Sequence, residues 1–295
     1  MKPTKGQKIF RVFNAVLLAL LAFLCIMPIL NLLAISFSSR NMVQANLVKL
    51  WPKQFTISNY HYMLNEPMFF DALLITVKRV LLGWAINLAL TVLAAYPMSK
   101  SAQQFKSRKF YVGFFIITMV FSGGMIPTYL VVSQTGLIDT IWALVLPEAV
   151  DMFYVLLLMN FFRGIPNEIE EAALVDSANW FQILVKIYLP LSLPSLATIT
   201  LYILVHHWNT YMDGMLYMNN YHNYPLMTYL RSVIMTFNTL EIRPDEIAAD
   251  PILAQLTGRS TKAAAIILCT VPLLVIYPFL QKFFVSGMVM GSVKG

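Results

Sequence analysis

Lys78 and Arg79 stand side by side in one apolar stretch, and Glu148 and Asp151 stand in another. Ionisable residues inside membrane-length apolar runs are costly, so each is a functional candidate by default. Two chemistries suit them. Cation and carboxylate can neutralise one another across a helix bundle, or they can face a water-filled pathway and contact a polar solute. A carboxylate so placed can also carry a proton, so Glu148 or Asp151 equally suits ion-coupled transport. His206, His207, Trp208, Asn209 and Tyr211 close a further apolar run. The two histidines have no third ligand at helical metal-site spacing, so no metal is expected, and an enzyme built on them would lack a nucleophile. Trp208 and Tyr211 suit an aromatic belt at a membrane interface as well as a stacking surface. A third cluster is acidic: Glu168, Glu170, Glu171 and Asp176 surround Ala172 and Ala173, with Ser177 next. No G-x-x-x-x-G-K-[ST] or G-x-G-x-x-G stretch is present, so the phosphate-cradling loops of nucleotide hydrolysis and dinucleotide binding are missing.

The elements that must hold these residues follow from composition. Of 295 residues, 58% are hydrophobic and 12% charged, against about 45–50% and about 25% in soluble domains. That balance excludes an ordinary soluble enzyme, a disordered chain and a coiled coil. Cys25 and Cys269 both lie in apolar runs, which excludes a disulfide scaffold and a cysteine-rich zinc module. Charge is absent from 12–39, 80–99, 110–138, 187–212 and 263–281, and 140–162 holds only Glu148 and Asp151. A bilayer-spanning helix needs about 20 such residues, its backbone satisfied internally. The expectation is an all-α membrane protein with six transmembrane helices, at about 12–37, 72–98, 110–132, 140–162, 184–208 and 263–285. No internal repeat interrupts this single membrane domain, 12–295. The first run exceeds the core of a signal peptide and lacks an evident cleavage site, so it reads as a retained anchor.

Basic residues orient the bundle. The N-terminal segment 1–11 carries Lys2, Lys5, Lys8 and Arg11 without an acid, and 100–109 carries Lys100, Lys106, Arg108 and Lys109. The loop around Asp139 has no basic residue. Both termini and the even-numbered loops are therefore expected in the cytoplasm, with the bundle in the plasma membrane. The net charge of +7 reads as orientation and needs no nucleic acid. Two outer loops are long, about 38–71 and 213–262. The second holds Tyr217, Tyr221, Tyr224 and Tyr229, an apolar run at 226–240 expected to be helical, and the acids Glu241, Asp245, Glu246 and Asp250. Loops of this length are usually functional, and docking of an external partner is the expected use. A membrane scaffold without transport chemistry is the remaining alternative.

The segment 163–183 lies between the fourth and fifth helices. Pro166 ends what precedes it, Asn167 can cap a new helix, Glu170 follows at capping-box spacing, and acids favour the positive helix end. Glu171-Ala172-Ala173, three residues, Ser177, nine residues, Ile187, one residue and Leu189-Pro190 resemble the EAA signature of permease subunits of ABC importers. Ser177 stands where that family usually has glycine, at a bend that favours positive φ. Trp208-Asn209 and the ending Gly287-x-x-x-Gly291-x-Val293-Lys294-Gly295 are similar to carbohydrate-uptake permeases of the maltose type. The stretches 94–100, 121–130 and 160–166 resemble the Gram-positive subgroup linked with complex or acidic plant oligosaccharides, such as aldouronates and pectin fragments.

The resemblance implies a type I ABC importer permease fold. It implies that 163–183 is a coupling loop whose Glu170, Glu171, Ala172, Ala173, Asp176 and Ser177 serve an ATPase groove. It implies a second permease subunit, two ATPase subunits and an extracellular substrate-binding protein. No cofactor is expected on this chain itself; ATP and Mg belong to the partner ATPase. Lys78, Arg79, Glu148, Asp151, Trp208, Asn209 and Tyr211 are then candidates to line the oligosaccharide pathway, with Arg79 or Lys78 favouring an acidic sugar.

Overall fold

A computed structural model describes residues 4–239 and 257–292. Lys2, the four acids Glu241, Asp245, Glu246 and Asp250, and the closing Val293-Lys294-Gly295 lie outside these residues. The described chain is helical and has no strand. In order it forms α1 (Lys5–Ser36), α2 (Arg40–Gln44), α3 (Ser58–Asn65), α4 (Pro67–Ser99), α5 (Arg108–Val120) and α6 (Met125–Gln134). A 3-10 turn (Ile141–Leu144) precedes α7 (Met152–Arg163) and α8 (Asn167–Val175). There follow α9 (Trp180–Leu191), α10 (Leu193–Asn209), α11 (Met212–Tyr217), α12 (Leu226–Thr239) and α13 (Gly258–Ser292).

Among the described residues, α1, α4 and Gly258–Ile276 of α13 are long and apolar enough to cross a membrane, or five elements if each of two bent pairs is one span. The continuous helices expected over 110–132, 140–162 and 184–208 therefore do not form, and each break has a local cause. The α5–α6 pair bends by 114° at Gly123-Gly124, where Gly124 takes φ 85°, a conformation open to glycine without cost. Within 140–162, Pro147 disfavours helix at the residue before it. Asp151 then caps α7, accepting a hydrogen bond from the Phe153 amide at 2.8 Å. In α9, Leu184–Tyr188 is a π turn. Pro190 has no N–H to offer the carbonyl four residues back, which unsettles the regular ladder at that point. Ser192 then separates α9 from α10 with an 81° bend.

The contacts divide the chain into two units. The first, within 4–69 and 230–271, is centred on Ala34, Ile35, Val43, Val48 and Ala263. Here Asn59 donates to the carbonyl of Ser36 at 3.0 Å, and Arg259 donates to Asn46 at 2.9 Å. The apolar window of α1 is wholly unburied, an extent of exposed hydrocarbon that suits lipid or a partner helix rather than water. The second unit, within 70–229 and 272–292, holds every candidate site residue. Its core joins Val92, Ala95, Tyr96 and Met98 of α4 to Val155, Leu158 and Phe162 of α7, Ile183 of α9 and Ile199 and Ile203 of α10. A smaller cluster packs Val132 of α6 and Leu144 against Tyr217 and Met218.

Candidate functional site

The short helix α8 begins differently from the expected capping box. Pro166 occupies the cap position, Asn167 starts the helix, and no side chain caps it. Glu170 is instead turned inward, 3% exposed. Its carboxylate accepts from Lys100 Nζ, from Tyr188 Oη and, at 3.0 Å, from Gln104 Nε2. The Lys100 ammonium also lies 4.1 Å from the ring centre of Tyr96, 4.0 Å from that of Tyr188 and 5.6 Å from that of Trp180, so aromatic faces complete its surroundings. Burial pulls the Lys100 ammonium below the usual lysine range, against the opposing pull of Glu170. The last carbonyls of α4 are served nearby, where Met98 O accepts from Arg108 Nε at 2.9 Å and from Arg163 Nη2 at 3.2 Å. Cations at a helix C-terminus are favoured there by the macrodipole as well.

The end of α8 is a Schellman turn. Ser177 N–H donates to Leu174 O and Ala178 N–H to Ala173 O, each at 3.0 Å, with Ser177 at φ 62°. The bend that glycine eases elsewhere is therefore made here by a serine in the left-handed region. A true capping box follows at Asn179 and Gln182 and starts α9. Across this helix–turn–helix, Glu171, Ala172, Leu174, Val175, Asp176 and Phe181 are exposed, while Ala173 and Ala178 pack on the core.

A second polar cluster runs between α4, α10 and α11. Arg79 is fully buried and pairs with Asp213, with Nη2 to Oδ2 at 2.5 Å and Nη1 to Oδ1 at 3.3 Å; Nη1 also donates to Thr210 O at 3.2 Å. Burial pushes the Asp213 carboxyl above the usual carboxylate range, with Arg79 and the Gly214 N–H pulling the other way. One helical turn further along α4, Gly83 lies so close to the His207 ring that any side chain at this position would overlap it. Asn87 donates to Glu148 O at 3.2 Å and lies 3.4 Å from His207 Nε2. His206 Nε2 and Glu148 Oε2 are 2.6 Å apart and partly exposed. His206, Asn209 and Tyr211 also line a shallow pocket of ≈ 320 Å³.

These two sites sit on a chain with close relatives. It is 37% identical over 278 residues to the polygalacturonan/rhamnogalacturonan transport system permease protein of Bacillus subtilis, covering 94% of this chain and 96% of that one. It is also 36% identical over 297 residues to Protein LplC of the same organism, 100% and 98% covered. The chain belongs to the sugar-transport permeases of ABC importers. A solved bacterial ABC transporter involved in import of the acidic polysaccharide alginate contains a chain that matches this permease with a TM-score of 0.86 at 31% identity, 96% of this chain and 99% of that one covered. No family profile matches the chain.

In the permease, the residues singled out by sequence separate into three groups. Glu171, Ala172, Asp176 and Ser177 lie on the exposed side of the α8 turn, whereas Glu170 and Ala173 face inward. Arg79 does not pair with Glu148 or Asp151; its partner is Asp213, and Glu148 pairs with His206. Asp151 is spent as a helix cap. Lys78 is exposed and makes no ion pair among the described residues. Trp208 is buried in an apolar slot with Val77, Leu81, Leu201 and Leu273, so it is a packing residue. Asn209 turns its amide back to Val205 O, and Tyr211 remains half exposed. Sequence reasoning missed Lys100, Tyr188 and Asp213. Lys100 was legible only as one of a group of basic residues setting orientation, and Asp213 only as an acid in a long loop.

Proposed function

We propose that this permease is one half of the translocation pathway of an ATP-driven, binding-protein-dependent importer of acidic oligosaccharides. The near full-length likeness to a polygalacturonan/rhamnogalacturonan permease carries this reading. The likeness to a chain of an alginate importer supports the acidic class. In this reading six spans cross the plasma membrane with both termini in the cytoplasm: α1, α4, α13, the two bent pairs and the shorter apolar helix α7 with the segment before it. A second permease completes the pathway, and two ATPase subunits bind ATP and Mg. The exposed side of α8, with Glu171, Ala172 and Leu174, enters a groove of the ATPase, a helix-in-groove contact in which small residues permit close approach. An external binding protein delivers sugar to the opposite mouth. Lys78, the free cation at that end of α4, is the group assigned to the uronate carboxylate, because Arg79 is enclosed and already neutralised.

The reading is tested by uptake into vesicles of the reconstituted importer, comparing an oligogalacturonide with a neutral maltodextrin. Uptake that requires ATP, survives collapse of the proton gradient and favours the uronide is expected. Glu171→Lys is expected to abolish stimulation of the ATPase by the binding protein. Undiminished stimulation and transport in that variant would remove the role given to α8.

A further inference from the structure

Glu170 and Glu171 are neighbours that point in opposite directions. Glu171 is solvent-facing, while Glu170 is buried with three donors, one on each of three elements: Lys100 at the end of α4, Gln104 in the following loop and Tyr188 in the π turn of α9. Lys100 in turn is enclosed by Tyr96, Tyr188 and Trp180. A connector that merely joins two spans needs no such arrangement. Taking a carboxylate and an ammonium out of water costs several kcal/mol for each ion, and that cost is offset only when geometry and hydrogen bonding hold both in place. The arrangement therefore fixes α8 to two other helices at one point. Those helices lead on to the second polar cluster: α4 carries Arg79 and Asn87, and α9 continues past the Ser192 break into α10, which carries His206 and His207.

We propose that Lys100 and Glu170 form a latch that makes α8, the end of α4 and the π turn of α9 move as one body. Glu170 is then a positioning residue that transmits displacement of α8 from within, while Glu171 and its exposed neighbours meet the partner. The bend at Ser192, four residues beyond Tyr188, is where the moving body ends and α10 can change its angle. The latch rests on the importer reading above and adds the route by which motion enters the bundle.

The test uses the complete importer with Lys100→Met, Glu170→Gln and Lys100→Arg. In proteoliposomes, sugar imported per ATP hydrolysed is expected to fall by about tenfold in the first two variants, with ATPase activity largely retained. Lys100→Arg keeps a cation over the rings and is expected to keep the wild-type ratio. The exchanged pair Lys100→Glu with Glu170→Lys is expected not to recover it, because a carboxylate at position 100 would meet the negative faces of three rings. An unchanged ratio in Lys100→Met and Glu170→Gln overturns the latch. So does a proportional fall of transport and ATPase that tracks the amount of assembled complex. Amide hydrogen exchange on the purified importer without sugar gives an independent reading. The α8 amides of Lys100→Met are expected to exchange about tenfold faster while those of α7 are unaffected, and unchanged α8 exchange overturns the latch. A wild type that imports no oligosaccharide counts against the importer reading alone, since the exchange measurement still decides the latch.

Discussion

Ser177 occupies a backbone position at φ 62° that costs an L-residue about 1–2 kcal/mol. Its hydroxyl makes no bond among the described residues that would recover this. Ser177→Gly is therefore expected to raise the melting temperature of the purified permease by about 2 °C, after allowance for the greater freedom of glycine in the unfolded chain. Ser177→Val is expected to lower it, because a β-branched residue is a genuine outlier at positive φ. Asp139 is a second such position, also at φ 62°, but here the side chain has partners. Its Oδ1 accepts from Asn223 Nδ2 at 3.0 Å and from the Asn219 and Asn220 amides at 3.2 and 3.3 Å. The Asn223 amide is the leading cause that holds its carboxyl below the usual range. A depressed folded value means the stabilisation is present above the unfolded pKa of about 3.9 and is lost as pH falls through the folded value. Asp139→Asn keeps the tolerance for positive φ and is expected to melt about 1–2 °C below wild type at pH 7. That gap is expected to narrow as pH falls below the usual carboxylate range; a gap that stays constant in acid would mean the carboxylate charge is not what matters. The bend at 177 was legible because motif spacing isolates it. The inward turn of Glu170 was not, since position in a first helical turn does not reveal which acid faces the core.

At the scale of elements, α4 is the strut on which the second unit is assembled. Its Thr76 hydroxyl accepts from the Leu226 amide at the start of α12 at 2.7 Å, Arg79 holds α11, Asn87 reaches the turn before α7, and Met98 O receives two arginines. The Arg79–Asp213 pair is the costliest of these attachments to break, because removing one partner leaves a buried charge uncompensated, an effect of about 3–5 kcal/mol. Arg79→Met and Asp213→Asn alone are each expected to lower thermal stability by that order, measured in detergent. The double variant is expected to recover more than half of the summed loss, so that the two effects are strongly non-additive. Additive losses would show that the pair is not the interaction at stake. Charge-free windows overlap α1, α4 and the start of α13, which are uninterrupted helices. Over 110–132, 140–162 and 184–208 they gave no sign of the helix breaks, because an apolar window is blind to conformation. Gly123-Gly124, Pro147 and Pro190 each interrupt a helix without adding a charge, and Asp151, which does add one, reads in such a window as an acid within a span rather than as a cap.

Over the whole molecule, six crossings require that each bent pair traverses the bilayer and that the shorter α7, with the segment before it, does so as well. The helix α10 has 17 residues, or about 26 Å at 1.5 Å per residue, just short of the roughly 30 Å hydrocarbon core. With α9 added, the pair is long enough to cross despite its bend. The chemistry at its two ends differs in the way a crossing requires. Before α9 lie the acidic α8 and the cations Lys100, Arg108 and Arg163; beyond α10 lie Asp213 and a loop rich in tyrosine and asparagine. A cation-rich side followed by a cation-poor one is the positive-inside pattern. Val175, 84% exposed in α8, and Tyr221, 61% exposed beyond α11, stand on either side of this pair. Single cysteines at Val175→Cys and Tyr221→Cys, with Cys25 and Cys269 replaced, are expected to react differently with a membrane-impermeant maleimide on intact cells. Tyr221→Cys should label at once and Val175→Cys only after permeabilisation. Labelling of both from outside would make the α9–α10 pair re-entrant, and the reverse pattern would invert the bundle. Either result would move α8 away from any cytoplasmic ATPase, so this one measurement bears on the orientation inferred from charge and on the coupling role inferred from α8.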